Sequence, residues 1–364
     1  MNIVYLIGNG FDINLGMKTG YKDFYNYYLN LPKDGDSDVI KSFKEELETE
    51  RFNNFDNWSD LELALGGYLE FLDTEQAVEL YEHLVEKLSE YIKLEEERWP
   101  FNVDKKNLFC EHLISSWQKL YPAEITAINT YLSQWHNQTW NIQIITFNYS
   151  RSIERIIQNQ PPLLIKRRPN GSETYLRSIE HIHGYVEERM ILGVNDTSQI
   201  ANEKLRGESR VTERYVKSER NKRCRTEHDA KCKKWIEEAN LICTFGVSYG
   251  DTDKKWWEAI GTPLKKGCKM ILFAFNNEKV FTGNQINLKY EEEDRIKDHF
   301  LKQAGLQDTK NNIKENIYVA YNTNMFKLDI GKRVDDRKEE PVAITVVGGE
   351  PLPFPFTGIT LPKQ

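Results

Sequence analysis

No apolar run in this 364-residue sequence reaches the roughly 18 residues that a membrane-spanning helix requires, so no membrane span is expected. Cysteine is scarce. The five present are scattered and odd in number, which argues against a disulfide framework and fits a reducing cytoplasm. There is no excess of positive charge: 49 Lys and Arg stand against 56 Asp and Glu, for a net charge of −7. That balance excludes a general nucleic-acid binder. No internal repeat is found. The N-terminus carries no basic leader and no cleavage site, so no signal peptide is expected, and the expected location is cytoplasmic. What is there in quantity is polar surface around a modest core, with 39% hydrophobic residues. The length suggests one large domain with insertions, or two domains.

The most informative stretch comes first. Asn2-Ile-Val-Tyr-Leu-Ile7 reads as a buried strand. Gly8-Asn9-Gly10-Phe11-Asp12 follows at once, then Gly16 and Thr19-Gly20-Tyr21-Lys22-Asp23-Phe24. Glycines at a strand end let the backbone turn sharply and approach a ligand, and a following helix offers free N–H groups to a phosphate. The turn therefore reads as a nucleotide-binding loop opening an α/β domain. The full dinucleotide fingerprint wants a third glycine where Ile13 stands; here it comes later, at Gly16. A tight turn without ligand explains the same residues.

Residues 20–138 show helical periodicity and few strand signals, and read as a helical insertion able to roof the loop. Within it, Ser59 is a candidate N-cap with Glu62 three residues on, and Trp58 and Leu61 are candidate core residues. A second strand, Asn141–Thr146, runs into Phe147-Asn148-Tyr149-Ser150. Asn148 thus lies just past a strand end, where open parallel sheets bind ligands; a turn-forming asparagine is the bland alternative. Pro161-Pro162 and Arg168–Gly171 mark loops. In Ser178–Tyr185, alternation puts His181 and His183 on one face of a strand. Either can be a base near neutral pH, and a metal pair lacks an obvious third ligand. Met190–Val194 reads as a further short strand.

The charged stretch 197–238 reads as helical. Its basic residues, from Lys217 to Lys234, suit a solvated face, with a nucleic-acid or protein contact as the alternative. Cys224, His228 and Cys232 lie four apart, but no fourth ligand completes a metal site. A third strand, Leu241–Phe245, leads into Gly246-Val-Ser248-Tyr-Gly250-Asp251-Thr-Asp253. This is either a phosphate- or ribose-binding turn or the Gly-x-Ser-x-Gly elbow of a hydrolase. For Asp251 and Asp253, helix capping suffices. Downstream of Ser248 only His299 is available to a hydrolase triad. A fourth strand over Cys268–Phe275 and an edge strand near Asn316–Val319 follow. The organisation expected is one domain over 1–335, with the insertion at 20–138 and the charged helices at 197–238. An extended Pro/Gly-rich tail occupies 336–364.

The motifs Gly8–Asp12, Thr19–Phe24, Thr146-Phe147-Asn148-Tyr149, His181-Ile-His183-Gly184 and Gly246–Asp251, in this order, resemble the bacteriophage abortive-infection AbiH family. They are similar, more distantly, to sirtuin-like NAD-binding domains. Gly8, Gly10 and Gly16 match the sirtuin glycine spacing; Phe147–Ser150 resembles the Gln-Asn-Ile-Asp turn; His183-Gly184 resembles the catalytic His-Gly. Ser150 stands in place of the sirtuin aspartate, and no paired Cys-x-x-Cys zinc module is present. The resemblance implies an α/β, Rossmann-like (sirtuin-like) parallel sheet with a large helical insertion after the first strand. It implies antiphage defence with NAD as substrate, hydrolysed to nicotinamide and ADP-ribose without a metal. Asn148 and His183 would be catalytic. Gly8, Asn9, Gly10, Phe11, Asp12, Gly16, Thr146, Phe147, Gly246, Ser248 and Asp251 would bind the nucleotide. A phage-derived trigger, a partner defence protein and a homo-oligomer are the partners such a role implies. A nucleotide sensor without turnover remains the alternative, beside a nucleic-acid-binding effector.

Overall fold

The first strand, β1 (Asn2–Ile7), runs through the middle of a seven-stranded sheet. The computed structural model describes residues 1–48, 58–101, 104–276, 279–307 and 313–334, without the side chains at 58–60. The other strands are β2 (Trp140–Thr146), β3 (Leu163–Arg167), β4 (Glu173–His181), β5 (Leu241–Phe245), β6 (Lys269–Ala274) and β7 (Ile317–Tyr321). Their spatial order is β3-β4-β2-β1-β5-β6-β7. All neighbours are parallel except β3, which pairs antiparallel with β4 as a hairpin. Setting β3 aside, the order is that of the doubly wound Rossmann sheet, and the switch point falls between β1 and β5. The α/β, Rossmann-like expectation holds.

Both faces of the sheet are covered, which is why β1 and β5 read as continuous apolar runs. Ile3, Tyr5 and Ile7 join one core with Phe11, Phe109 and Phe326. Val4 and Leu6 join the opposite core with Trp256, Trp257 and Phe300. After β7 the chain returns to the first core through Met325, Phe326, Leu328 and Ile330, and Arg333 closes on the buried Glu95 at 2.8 Å.

A third apolar cluster lies in the helices between β1 and β2. Helix Thr74–Glu97 starts at a reciprocal capping box in which Asp73 and Gln76 each accept the other's backbone N–H, at 2.9 and 3.0 Å. It buries Ala77, Leu80, Tyr81, Leu84 and Leu88, one stripe at helical spacing. Helix Trp58–Tyr68 packs beside it, and Leu61 is buried as expected. The expected Ser59 cap and Trp58 core position concern side chains outside the description. The expected tail over 336–364 also lies outside the described residues.

Three local expectations need correction. Met190–Val194 is not a strand; Val194 makes one isolated bridge to Val216, and the segment packs its apolar side chains into the helical cluster. Strand β4 starts at Glu173 and ends at His181, so His183 lies beyond the strand and alternation does not align the two imidazoles. Cys224 ends helix Lys217–Arg223 while His228 and Cys232 belong to helix His228–Glu237, so the three share no helix face.

Candidate functional site

The carboxyl ends of β1, β2 and β5 are level, because Ile7 pairs with both Thr146 and Phe245. Gly8, Phe147 and Gly246 therefore leave the sheet side by side at the switch point. The first and third of these turns interlock. Gly8 N–H donates to the Phe245 carbonyl and Gly10 N–H to the Gly246 carbonyl, each at 2.9 Å. A Cβ on Gly10 would lie 2.5 Å from the Gly246 Cα, and one on Gly246 would lie 2.6 Å from the Phe11 nitrogen. Gly246 also sits at φ +68°, a conformation that favours glycine. The glycines are needed here by the protein's own backbone.

Beside this double turn is a partly open cavity of about 180 Å³. Of the residues expected to bind or react, Gly8, Asn9, Gly10, Asp12, Phe147, Asn148, His183, Gly246 and Ser248 line it. Phe11, Gly16, Thr146 and Asp251 do not. Phe11 is core, against Phe109 and Phe326. Gly16 faces the Trp99 ring. Thr146 accepts the Asn148 N–H through its hydroxyl at 3.1 Å and so sets the Asn148 turn. Asp251 is exposed at the start of the short helix Asp251–Asp253.

The remaining contacts explain how the motifs hold each other. Asn9 is fixed by Thr19, whose carbonyl accepts the Asn9 amide at 2.8 Å and whose hydroxyl donates back at 2.7 Å. The buried Asp12 carboxylate accepts the hydroxyls of Ser150 and Ser152. Burial pushes Asp12 above the usual carboxylate range, and those hydroxyls oppose the shift. Asn148 is 3% exposed, yet neither Oδ1 nor Nδ2 has a well-directed hydrogen bond among the described residues. Its amide acts on the neighbouring Asp12 carboxyl, whose charged form it favours. A buried amide without partners costs about 1–3 kcal/mol, and such groups are rare outside functional sites.

His181 and His183 face different partners. His181 contacts Glu154 through Nε2 at 2.8 Å and the Asn148 carbonyl through Nδ1 at 3.0 Å. His183 lines the cavity, with Nε2 2.9 Å from Asp253 Oδ1. That distance is within ion-pair range should the imidazole be protonated, without the alignment of a full hydrogen bond. Asp253 also receives Lys217 Nζ at 3.1 Å, and Lys217 reaches Glu62 at 2.9 Å. Glu62 accepts the Thr252 hydroxyl at 2.6 Å and the Gly193 N–H at 3.3 Å. Burial pushes the His183 imidazole below the ordinary histidine range, with Lys217 acting the same way and Asp253 opposing. Burial opposes charge on Asp253, but His183, when protonated, and Lys217 outweigh it and hold the carboxyl well below its usual range. With His183 neutral, Lys217 is the standing countercharge.

Sequence reasoning missed Glu62, Lys217 and Asp253 as site residues. Lys217 belongs to no solvated face: it is 1% exposed. The basic stretch is also largely neutralised, since Lys222, Arg223, Lys231, Lys233 and Lys234 each lie within 4.0 Å of a carboxylate. At the third turn, positive φ falls on Gly246 and Tyr249 and not on Ser248, so Ser248 lacks the strained backbone of a nucleophile elbow.

On the far side of the double turn is a larger cavity of about 720 Å³. It shares Gly10, Ile13, Gly246, Val247 and Ser248 with the first, and adds Phe275, Arg295, His299 and Thr323. Among the described residues no helix is long and apolar enough to cross a membrane. A family model described as bacteriophage abortive infection AbiH matches residues 4–276. No curated protein matches the chain.

Proposed function

The chain belongs to the bacteriophage abortive infection AbiH family, and from that premise we propose that it is a cytoplasmic antiphage effector that binds NAD and hydrolyses its nicotinamide–ribose bond. The observation that carries the reading is the pairing, in one cavity at the switch point, of the buried Asn148 amide, which has no well-directed hydrogen bond among the described residues, with a buried imidazole at His183. Three carboxylates (Asp12, Glu62, Asp253) face one ammonium (Lys217) in the lining. Such a lining suits a cationic pyridinium riboside better than a phosphate. The small cavity has room for that end only, since nucleotide-sized ligands need several hundred Å³. The adenosine diphosphate part would extend past Gly246 and Ser248 into the larger cavity, toward Arg295 and Thr323.

In this reading the C–N bond breaks with its electron pair going to the nicotinamide nitrogen, which leaves neutral. Positive charge develops on the ribose, next to the acidic lining. A water oxygen bonds to the anomeric carbon, and its proton passes to His183. Asp253 beside Nε2 favours the tautomer with the proton there, leaving the Nδ1 lone pair as acceptor. Asn148 would orient the water or the ribose hydroxyls with its amide. Loss of NAD in an infected cell would stop phage growth. The likeness of these motifs to sirtuin-like domains supports the same chemistry. The ion-paired state of the basic stretch weighs against a nucleic-acid-binding effector.

The test is total cellular NAD with and without phage, in cells producing the wild type, Asn148→Ala or His183→Ala. NAD loss confined to the wild type supports the reading. Full protection from phage with NAD unchanged would sink it in favour of a nucleotide sensor.

A further inference from the structure

The two helical layers and the sheet meet at one row of charges. Glu62 comes from helix Trp58–Tyr68, Lys217 from the first turn of helix Lys217–Arg223, Asp253 from the turn after β5, and His183 from the loop after β4. Glu62 and Lys217 are each below 5% exposed. Consecutive members are 2.9, 3.1 and 2.9 Å apart. Nothing about holding the fold together requires this arrangement, because a buried ion pair gains little over apolar packing of the same shape.

We propose that Asp253, Lys217 and Glu62 are the positioning set for His183, an alternating chain of buried charges that fixes the imidazole as a base with Nδ1 open to the cavity. The proposal rests on His183 being the proton acceptor of the reaction above. With His183 neutral, the four groups carry two negative charges and one positive. Proton uptake by His183 brings the cluster to electrical neutrality without moving an ion, so the protein is already organised for the charged state reached during turnover. Asp253 orients the ring. Lys217 keeps Asp253 ionised while restraining the basicity that an unshielded aspartate would confer on the imidazole. Glu62 anchors Lys217, itself held by Thr252 and the Gly193 N–H. The groups facing His183 are Asp253, Lys217 and Glu62, with the neutral rings of Phe147 and Tyr149 on its flanks.

The experiment follows the His183 ring by NMR in full-length protein with ¹⁵N-labelled histidine, assigned with His183→Gln. It reads tautomer and titration in the wild type, Asp253→Asn, Lys217→Met and the charge-compensated pair Glu62→Gln/Lys217→Met. NAD hydrolysis against pH is measured alongside. The wild type should show the Nε2-protonated tautomer. Asp253→Asn should lose that tautomer and titrate at lower pH, while Lys217→Met should titrate at higher pH. The double variant, which removes one charge of each sign and is the safeguard if Lys217→Met misfolds, should stay near the wild type. Asp253→Asn should also lower kcat by about 10²–10⁴-fold, the usual worth of positioned proton transfer, with KM within about twofold.

A merely structural role predicts otherwise: each single variant admits water and moves the titration up, toward the ordinary value near 6.5. Shifts of the same sign in Asp253→Asn and Lys217→Met, or none, overturn the proposal. Opposite shifts in a protein that never turns over NAD retain the charge chain and discard the hydrolase reading.

Discussion

Alanine at Gly246 and at Gly10 separates a turn that packs on itself from a turn kept open for a ligand. Gly246 combines two demands: φ of +68° and a Cβ position 2.6 Å from the Phe11 backbone nitrogen. A non-glycine residue in the left-handed region costs roughly 1–2 kcal/mol. Overpacking against groups that cannot retreat adds about 1–3 kcal/mol. Backbone that is tied into β1 and β5 is such a group, so Gly246→Ala should lose about 2–5 kcal/mol. Gly10→Ala meets only the steric term, since its Cβ would lie 2.5 Å from the Gly246 Cα with no unusual φ. Gly35→Ala meets only the conformational term, at φ +91° with nothing within 4 Å, and Gly207→Ala meets neither. In thermal unfolding of ligand-free protein, the Gly246 loss corresponds to a fall in Tm of roughly 4–10 °C. Gly10→Ala and Gly35→Ala should fall less, and Gly207→Ala not at all. If Gly246→Ala and Gly10→Ala melt with the wild type and lose only nucleotide binding, the interlocking argument is refuted and the glycines serve the ligand's approach.

Asn148→Ala should leave stability within about 1 kcal/mol of the wild type, because the amide has no well-directed partner to lose; a large drop in Tm would show that Asn148 is structural. Ser150→Ala and Ser152→Ala should each cost about 1–3 kcal/mol by uncovering the buried Asp12 carboxylate, measured by urea unfolding, and Asp12→Asn should recover part of the loss. Glu95 is fully buried; burial opposes its ionisation, but the Lys18 N–H, Arg333 and Trp99 outweigh that and hold its carboxyl below the ordinary glutamate value of 4.5. Its contribution to stability is therefore complete above about 4.5 and disappears as pH falls through the lower folded value. Glu95→Gln should flatten that part of an acid-unfolding curve, and an unchanged curve would assign the acid sensitivity elsewhere.

Continuous β-branched runs made β1, β2 and β5 legible, since strands buried on both faces must be apolar at every position. Strand β3 escaped notice because it is a five-residue edge strand, Leu163–Arg167, with no fully buried residue and a basic end. Asn148 and His183 were legible because each follows a strand and sits in a compact local motif, and both line the cavity. Glu62, Lys217 and Asp253 were not, although each was noticed. A capping box, a charged helix face and a helix cap accounted for them locally. Their shared role comes only from tertiary convergence of segments up to about 190 residues apart, which periodicity cannot register. The interlocking of the double turn was hidden in a related way. Glycines that accommodate another stretch of the same chain look identical, in one sequence, to glycines that accommodate a phosphate.

The row of charges spans most of the polypeptide, and this bears on how a cell survives making the protein. A ribosome releases Glu62, then Asn148 and His183, then Lys217, long before Asp253 emerges. Strand β6, the partner of β5, emerges later still, so the turn that closes on Gly10 is held from one side only when Asp253 appears. Nascent chains, and fragments left by stalled translation, would carry the imidazole without the carboxylate that orients it. Under the proposed hydrolysis, the order of synthesis would act as a safety catch that needs no inhibitor. If the proposed hydrolysis holds, a gene truncated at Leu241 should leave cellular NAD unchanged at expression levels at which the full-length protein lowers it.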